Sequence, residues 1–215
     1  AVNNEKGLKK LEKYADKYGL TDLSGVELTE AEPHVSDSDA VRSAIGQGTN
    51  SYTPVQLSRY VSTISNGGTC YDLTLVDKVA DPSKDNKIQN NKANVRNELD
   101  VKSSTMDAIR KGMYMVVNSG SLKTVFQKVP VKVAGKTGTA QISANEPNHA
   151  LFVSYAPYQS PKISVTVVIP NAFTSSNAAS LASNIYQYYF DKKARKNLLK
   201  KSATSPVSNS GRVAD

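Results

Sequence analysis

The residues in this chain best suited to chemistry are Lys136, Thr137, Gly138 and Thr139, within the run Val133-Ala134-Gly135-Lys136-Thr137-Gly138-Thr139-Ala140-Gln141. An ammonium beside two hydroxyls can hold a carboxylate, and a backbone N–H nearby can stabilise an oxyanion. Gly138, lacking a side chain, lets another backbone come close. Lys-Thr-Gly as a bare triplet is expected by chance in about one chain in twenty of this length, so its setting has to carry the argument. A second reading stands beside the first: a Lys/Thr-rich exposed edge strand whose charge prevents aggregation.

The other reactive side chains offer less. Cys70 has no second cysteine to pair with, sits in the turn-like Asn66-Gly67-Gly68-Thr69-Cys70, and reads as a bystander. His34 falls in a polar loop and His149 at a strand start, and two histidines support neither a metal site nor a Ser-His-Asp triad. The sequence implies no metal and no cofactor.

The elements that must position these residues follow from periodicity and caps. Leu8, Leu11, Ala15 and Tyr18 share one face of a helix over Glu5–Tyr18, with Gly19 as its C-terminal stop. Thr53, Pro54 and Gln56 form the start signal of a helix over Pro54–Ser65, which buries Val61 and Ile64 and ends at Asn66-Gly67-Gly68. Leu73–Val79 alternates like a strand, and Asp81–Asn97 reads as an exposed loop. Ser104 and Asp107 resemble a capping box for a helix burying Met106, Ile109, Met113, Val116 and Val117 and ending before Gly120. Val129–Ala134, Ala150–Tyr155 and Ile163–Ile169 predict an antiparallel meander, with the Lys136-Thr137-Gly138 run at the end of its first strand. A last helix, Asn177–Phe190, is expected to turn Leu181, Ile185 and Tyr188 or Tyr189 inward. The order predicts an α+β fold, an antiparallel sheet flanked by helices.

Composition narrows the function classes. At 215 residues and 39% hydrophobic the chain can build a core, and no apolar run approaches the roughly 18 residues of a spanning helix. Residues 191–215 hold seven Lys/Arg against two Asp/Glu, so most of the net +8 belongs to a basic tail expected to be disordered, and the rest of the chain is near balance. That distribution argues against nucleic-acid binding, and the cluster of Tyr186, Tyr188 and Tyr189 reads as helix packing.

Four ordered stretches carry a resemblance. They are Gly7-Leu8-Lys9-Lys10-Leu11 through Tyr18-Gly19-Leu20; Ala44-Ile45-Gly46-Gln47-Gly48 through Thr53-Pro54-Val55-Gln56-Leu57; Gly112-Met113 through Val116-Val117; and Ala134-Gly135-Lys136-Thr137-Gly138-Thr139-Ala140-Gln141 followed by His149-Ala150-Leu151-Phe152-Val153. Together they resemble the transpeptidase domain of class B penicillin-binding proteins. The resemblance implies a serine β-lactamase/transpeptidase-like domain, of which residues 1–190 are the C-terminal half, and acyl transfer on D-Ala-D-Ala stem peptides, which β-lactams imitate. It implies that Lys136 shapes the field of the site, that Thr137 and Thr139 bind the terminal carboxylate, and that the Thr139 N–H is an oxyanion donor. Gly138 would let the substrate strand lie against the edge.

The departures matter equally. The family's Ser-x-x-Lys, whose serine is the nucleophile, occurs nowhere in the 215 residues. Ser143-Ala144-Asn145 and Ser175-Ser176-Asn177 have the spacing of the family's Ser-x-Asn but follow Lys136 rather than precede it. Gly120-Ser121-Leu122-Lys123 stands where the family commonly has Gly-Thr-Ala. The expectation is a chain inactive by itself, whose nucleophile, N-terminal half and membrane anchor lie on other sequence. The parent would work at the extracytoplasmic face of the bacterial membrane with the cell-wall synthesis or division machinery. The rival expectation is a non-catalytic peptide- or wall-binding module, or a β-lactam sensor of the same fold.

Overall fold

The computed structural model describes residues 3–84, 87–142 and 145–198. The chain divides between Val101 and Lys102 into two compact units.

The first unit opens with α1 (Asn4–Lys17), capped by the Asn3 side chain on the Lys6 N–H. It ends as the sequence predicts. Gly19 takes φ +70°, its N–H reaches the Asp16 carbonyl and the Leu20 N–H the Ala15 carbonyl, which is the Schellman arrangement. A Cβ at Gly19 would strike the Arg59 guanidinium and Cys70 Sγ, so glycine is required by space as well as by φ. After α2 (Ala40–Ala44), α3 spans Pro54–Ser65 with a complete Thr53/Gln56 capping box and buries Val61 and Ile64.

The strands that follow differ from expectation. β1 (Thr69–Asp72) pairs antiparallel with β4 (Asn94–Glu98), and β2 (Lys78–Asp81) with β3 (Lys87–Asn90). The predicted strand Leu73–Val79 is mostly not one. Leu73 N–H donates to the Ser24 carbonyl, and Leu75 N–H and Thr74 Oγ1 donate to the Glu27 carboxylate, so side-chain bonds replace a ladder. Conversely, the polar stretch predicted as a loop supplies two strands. Arg96 on β4 donates to Asp16 and Asp22, which ties the strand down without apolar burial. Cys70, predicted in a turn, is fully buried in β1.

The second unit begins with α4 (Ser103–Asn118), which buries Met106, Met113 and Val117. Its N-cap is Lys102 without a side-chain bond, so the expected Ser104/Asp107 box does not form, and Ile109 is exposed. After α5 (Lys123–Phe126) come β5 (Ala134–Ala140), β6 (His149–Ala156) and β7 (Ile163–Ile169), the predicted antiparallel meander in the order β5-β6-β7. The first strand starts later than predicted. Pro130 has no N–H to give a ladder, the Val129 N–H bonds the Phe126 carbonyl, and Val129 and Val133 pack into the core outside any strand.

Helix α6 (Ser175–Phe190) covers the sheet with Ala178, Ala179, Ala182, Ser183 and Tyr186, not with the predicted Leu181, Ile185, Tyr188 and Tyr189, which are exposed. The alanines let the helix approach closely, and the bulk of that interface comes from Phe126 and Phe152, whose ring centroids lie 5.6 Å apart. The expected disordered tail begins instead with α7 (Lys192–Leu198). Asp191 caps it, and Arg195 lies over the Tyr188 ring. Residues 199–215 of that tail lie outside the described residues.

Candidate active-site wall

Lys136, Thr137, Gly138 and Thr139 lie in the body of β5 rather than at a strand end as predicted. In the three-stranded sheet β5 is paired only to β6, so its second edge has no strand partner among the described residues. Alternate N–H and C=O groups of such an edge point away from the sheet and can pair with an extended ligand.

The register sets which way each side chain faces. Gly135, Thr137 and Thr139 oppose Ser154, Phe152 and Ala150, whereas Lys136 and Gly138 oppose Val153 and Leu151. Because a pleated strand alternates, the two threonines share the face that packs toward α6, and Lys136 stands on the other. A ligand touching the ammonium and both hydroxyls must therefore run along the edge itself. Lys136 is exposed, and its Nζ donates to the Thr137 carbonyl at 2.8 Å. Thr137 and Thr139 are half-buried.

Residues behind the strand hold it rigid, and local sequence does not reveal them. A Cβ on Gly135 would fall 2.4 Å from Phe152 Cζ, so this glycine is demanded by the aromatic core. Ser154, opposite Gly135, donates to the Val165 carbonyl at 3.1 Å and accepts from the Tyr186 hydroxyl at 2.9 Å, which bolts α6 to β6 and β7. Burial pushes the Tyr186 hydroxyl well above its usual range, against the smaller effect of its bond to Ser154, so it stays protonated. On the opposite face Tyr155 receives a hydrogen bond from Arg110 of α4 at 3.3 Å. Burial raises Tyr155 too, with the Arg110 bond and charge opposing. These contacts would have been visible only by knowing the register.

The second predicted stretch lies in the first unit. Gly46 and Gly48 have φ of +80° and +89°, Gly46-Gln47 close the end of α2, and α3 follows at Pro54, the helix the caps require. Gly48 packs against Ser36 and Ser43, whose hydroxyls are 2.7 Å apart. His34 pairs its backbone with Ser51, and His149 Nδ1 accepts the Asn171 N–H. Of the two Ser-x-Asn runs, Ser175 and Asn177 open α6, and Ser143 and Ala144 lie outside the described residues. Cavities of about 430 Å³ beside α1 and about 360 Å³ beneath α5 are not lined by Lys136–Thr139. The wall is a flat edge with an ammonium and two hydroxyls on β5, able to bind and polarise a ligand.

A helix-covered antiparallel meander presenting Lys-Thr-Gly-Thr on a strand edge defines an α+β domain of the penicillin-recognising, transpeptidase-like kind. The comparisons agree: the chain belongs to the penicillin binding protein transpeptidase domain family, whose sequence profile matches residues 1–187. It is 32% identical over 176 residues to the peptidoglycan D,D-transpeptidase MrdA of Haemophilus influenzae, covering 72% of this chain and 26% of that protein. It is 29% identical over 208 residues to penicillin-binding protein 2B of Streptococcus pneumoniae, covering 87% and 30%. The solved structure of that protein from strain R6 superposes with a TM-score of 0.75 at 27% identity, over 87% of this chain and 33% of that one. An imipenem acyl-enzyme of penicillin-binding protein A from M. tuberculosis superposes at 0.67 and 26% identity, over 79% and 39%. The chain thus spans about a third or less of the length of these curated relatives.

Proposed function

We propose that this chain supplies the substrate-binding wall of a peptidoglycan D,D-transpeptidase that β-lactams acylate. The observation that carries the reading is the Lys-Thr-Gly-Thr run on β5, the edge strand of the β5-β6-β7 sheet among the described residues, with Lys136 exposed on one face and Thr137 and Thr139 on the other. The two threonines are two residues apart, about 7 Å along a strand, which suits an extended peptide end rather than a compact ligand. In the proposed reaction a serine outside these 215 residues attacks the carbonyl of the penultimate D-Ala. An ester bond forms, the C–N bond to the terminal D-Ala breaks, and that D-Ala leaves as the amine with the proton. An amine on a neighbouring stem peptide then attacks the ester, and the serine recovers its proton. Thr137 and Thr139 hold the terminal carboxylate, Lys136 supplies the positive field, and the Thr139 N–H stabilises the oxyanion, a contribution of about 3–4 kcal/mol.

In this reading residues 1–190 are part of the C-terminal half of the transpeptidase domain, and the basic segment 191–215 follows it. Two features support a missing complement. β7 is paired only to β6 among the described residues, and α6 exposes Leu181, Ile185, Tyr188 and Tyr189. Strands and helices from elsewhere in the parent protein cover both. In this reading the parent works at the extracytoplasmic face of the membrane with the wall-synthesis machinery; among the described residues no helix is long and apolar enough to cross a bilayer. The test is fluorescent penicillin with intact-mass readout on this chain alone and on the full-length protein. A stoichiometric adduct on a serine outside these 215 residues is expected, in the full-length protein only. An adduct on the isolated chain, or none on either, overturns the reading.

A further inference from the structure

Three strands end together beside Thr139. Between β5 and β6 the last pairs are Thr139 with Ala150 and Ala140 with His149, and between β6 and β7 the last pair is Ala150 with Ile169. One step further His149 would face Pro170, which has no N–H to donate. The β7 ladder therefore stops one residue short of the β5 ladder, and a side chain takes over. His149 Nδ1 accepts the Asn171 N–H at 3.3 Å, and the neighbouring Asn148 carbonyl accepts the Phe173 N–H at 3.2 Å.

Both donors sit on a strained turn. Asn171 and Phe173 have φ of +53° and +64°, a left-handed region that a bulky side chain such as phenylalanine rarely enters. The far side of this turn is fixed to α6: the Ala172 carbonyl accepts from the Thr174 N–H and from Asn177 Nδ2, and Thr174 caps the helix. Toward β6 it is held by the bonds at Asn148 and His149.

The backbone donor also fixes the state of the ring. Nδ1 must present a lone pair, so the proton of neutral His149 is on Nε2; in an imidazolium both nitrogens are donors, and an Nδ1–H would meet the Asn171 N–H head-on. Few charges surround it. On its own face of the sheet β5 contributes Lys136, and the β5–β6 hairpin contributes the exposed Glu146. No Asp, Glu, Lys, Arg or His occurs between Lys162 and Asp191, so β7, the 170–174 turn and α6 add none. On α4, Arg110 lies toward the other end of β6, on Tyr155.

We propose that His149 is a positioning residue for the oxyanion donor assigned above to Thr139, and that protonating it loosens that end of the wall. The inference rests on the transpeptidase reading. Alternate pairs of an antiparallel ladder exchange hydrogen bonds, so for the Thr139 N–H to aim away from β6 the bonded pairs must be Gly138–Leu151 and Ala140–His149. Thr139 is then carried between two bonded pairs, and the outer one is built on the backbone of His149. Once Nδ1 is protonated, the Asn171 turn lets go, the outer pair gains freedom, and the Thr139 N–H loses its aim. The change stays at this end of the sheet, away from the core of Phe126, Phe152 and Tyr186.

The test is the acylation rate constant of the full-length protein by fluorescent penicillin at about pH 7.5 and about pH 5.5, on either side of the range in which histidines ionise. His149→Asn keeps an acceptor at the same remove from the backbone without the titration, and His149→Ala removes it. The wild type should lose at least about fivefold more rate between the two pH values than His149→Asn, the factor that one hydrogen bond is worth; His149→Ala should be slow at both. Hydrogen-exchange mass spectrometry on the same proteins, referenced to an unstructured peptide at each pH, should show protection of residues 170–174 falling with pH in the wild type and kept in His149→Asn. The proposal is overturned if wild type and His149→Asn share one pH profile of acylation, or if residues 170–174 of the wild type are equally protected at both pH values. Failure of the transpeptidase reading is told apart, because the wild type is then acylated at neither pH, and the positioning role falls with it.

Discussion

The two units of this chain are held together by different forces. In the first, the largest fully buried side chain is Arg59, 1% exposed, whose guanidinium donates to the carbonyls of Gly19, Asp22 and Leu23 and to the Asp22 carboxylate. Arg96 repeats the device at Asp16 and Asp22, and Glu30 gathers the Ser24 N–H and the hydroxyls of Ser24 and Thr53. In the second unit the counterpart is a dry cluster of Phe126, Phe152, Tyr186 and the alanines of α6, with Tyr186–Ser154 as a buried polar bolt. A polar scaffold can shape irregular loops such as Gly46-Gln47-Gly48. An apolar sandwich can hold one strand edge straight, which the proposed wall requires.

The comparison yields predictions, the largest first. Arg59→Met should destabilise the first unit by about 3–5 kcal/mol, since several buried carbonyls lose their donor at once. Urea melts with residue-resolved NMR would show the loss confined to residues 3–101, and equal loss in both units would break the distinction. Gly135→Ala should cost the second unit about 1–3 kcal/mol by forcing a methyl against Phe152. It should also slow penicillin acylation of the full-length protein, because the strand carrying Lys136 must shift. Tyr186→Phe should cost only about 1 kcal/mol, since Ser154 keeps the Val165 carbonyl as acceptor.

Acid should unfold the first unit first. Bonds from Arg96 and Thr21 hold Asp16 below the usual carboxylate range; burial pushes Glu30 up, but the bonds from Ser24 and Thr53 and the charge of Arg59 outweigh it. Depressed folded-state values mean that the stabilisation is complete above the unfolded carboxylate range, near about pH 4, and fades as pH falls through the lower folded values. Amide signals of the first unit should therefore lose dispersion before those of the second. The smallest effect is salt: screening Arg96–Asp16 should cost under about 1 kcal/mol, all of it in the first unit.

Legibility followed the same division. Gly19 and the Thr53/Gln56 box are local chemistry and were readable to the residue, and so was the order of the meander, but its first strand starts later than predicted and the Ser104/Asp107 box does not form. Burial is not local. Leu73–Val79 alternates without a partner face, and its bonds go to Ser24 and Glu27, nearly fifty residues away in sequence. On α6 the apolar bulk of Leu181 and Ile185 suggested the wrong face, because a helix lying close to a sheet needs alanine there. Gly135 and Ser154 gain their meaning only from lying opposite each other across β5 and β6.

The central claim is that the β5 edge is the wall of an acylating site. The direct measurement is the acylation rate constant of the full-length protein by fluorescent penicillin, for wild type, Lys136→Ala and, as a control, the exposed Lys162→Ala on the approach to β7. The account predicts a loss of about a hundredfold for Lys136→Ala and none for Lys162→Ala; wild-type acylation by Lys136→Ala would contradict it.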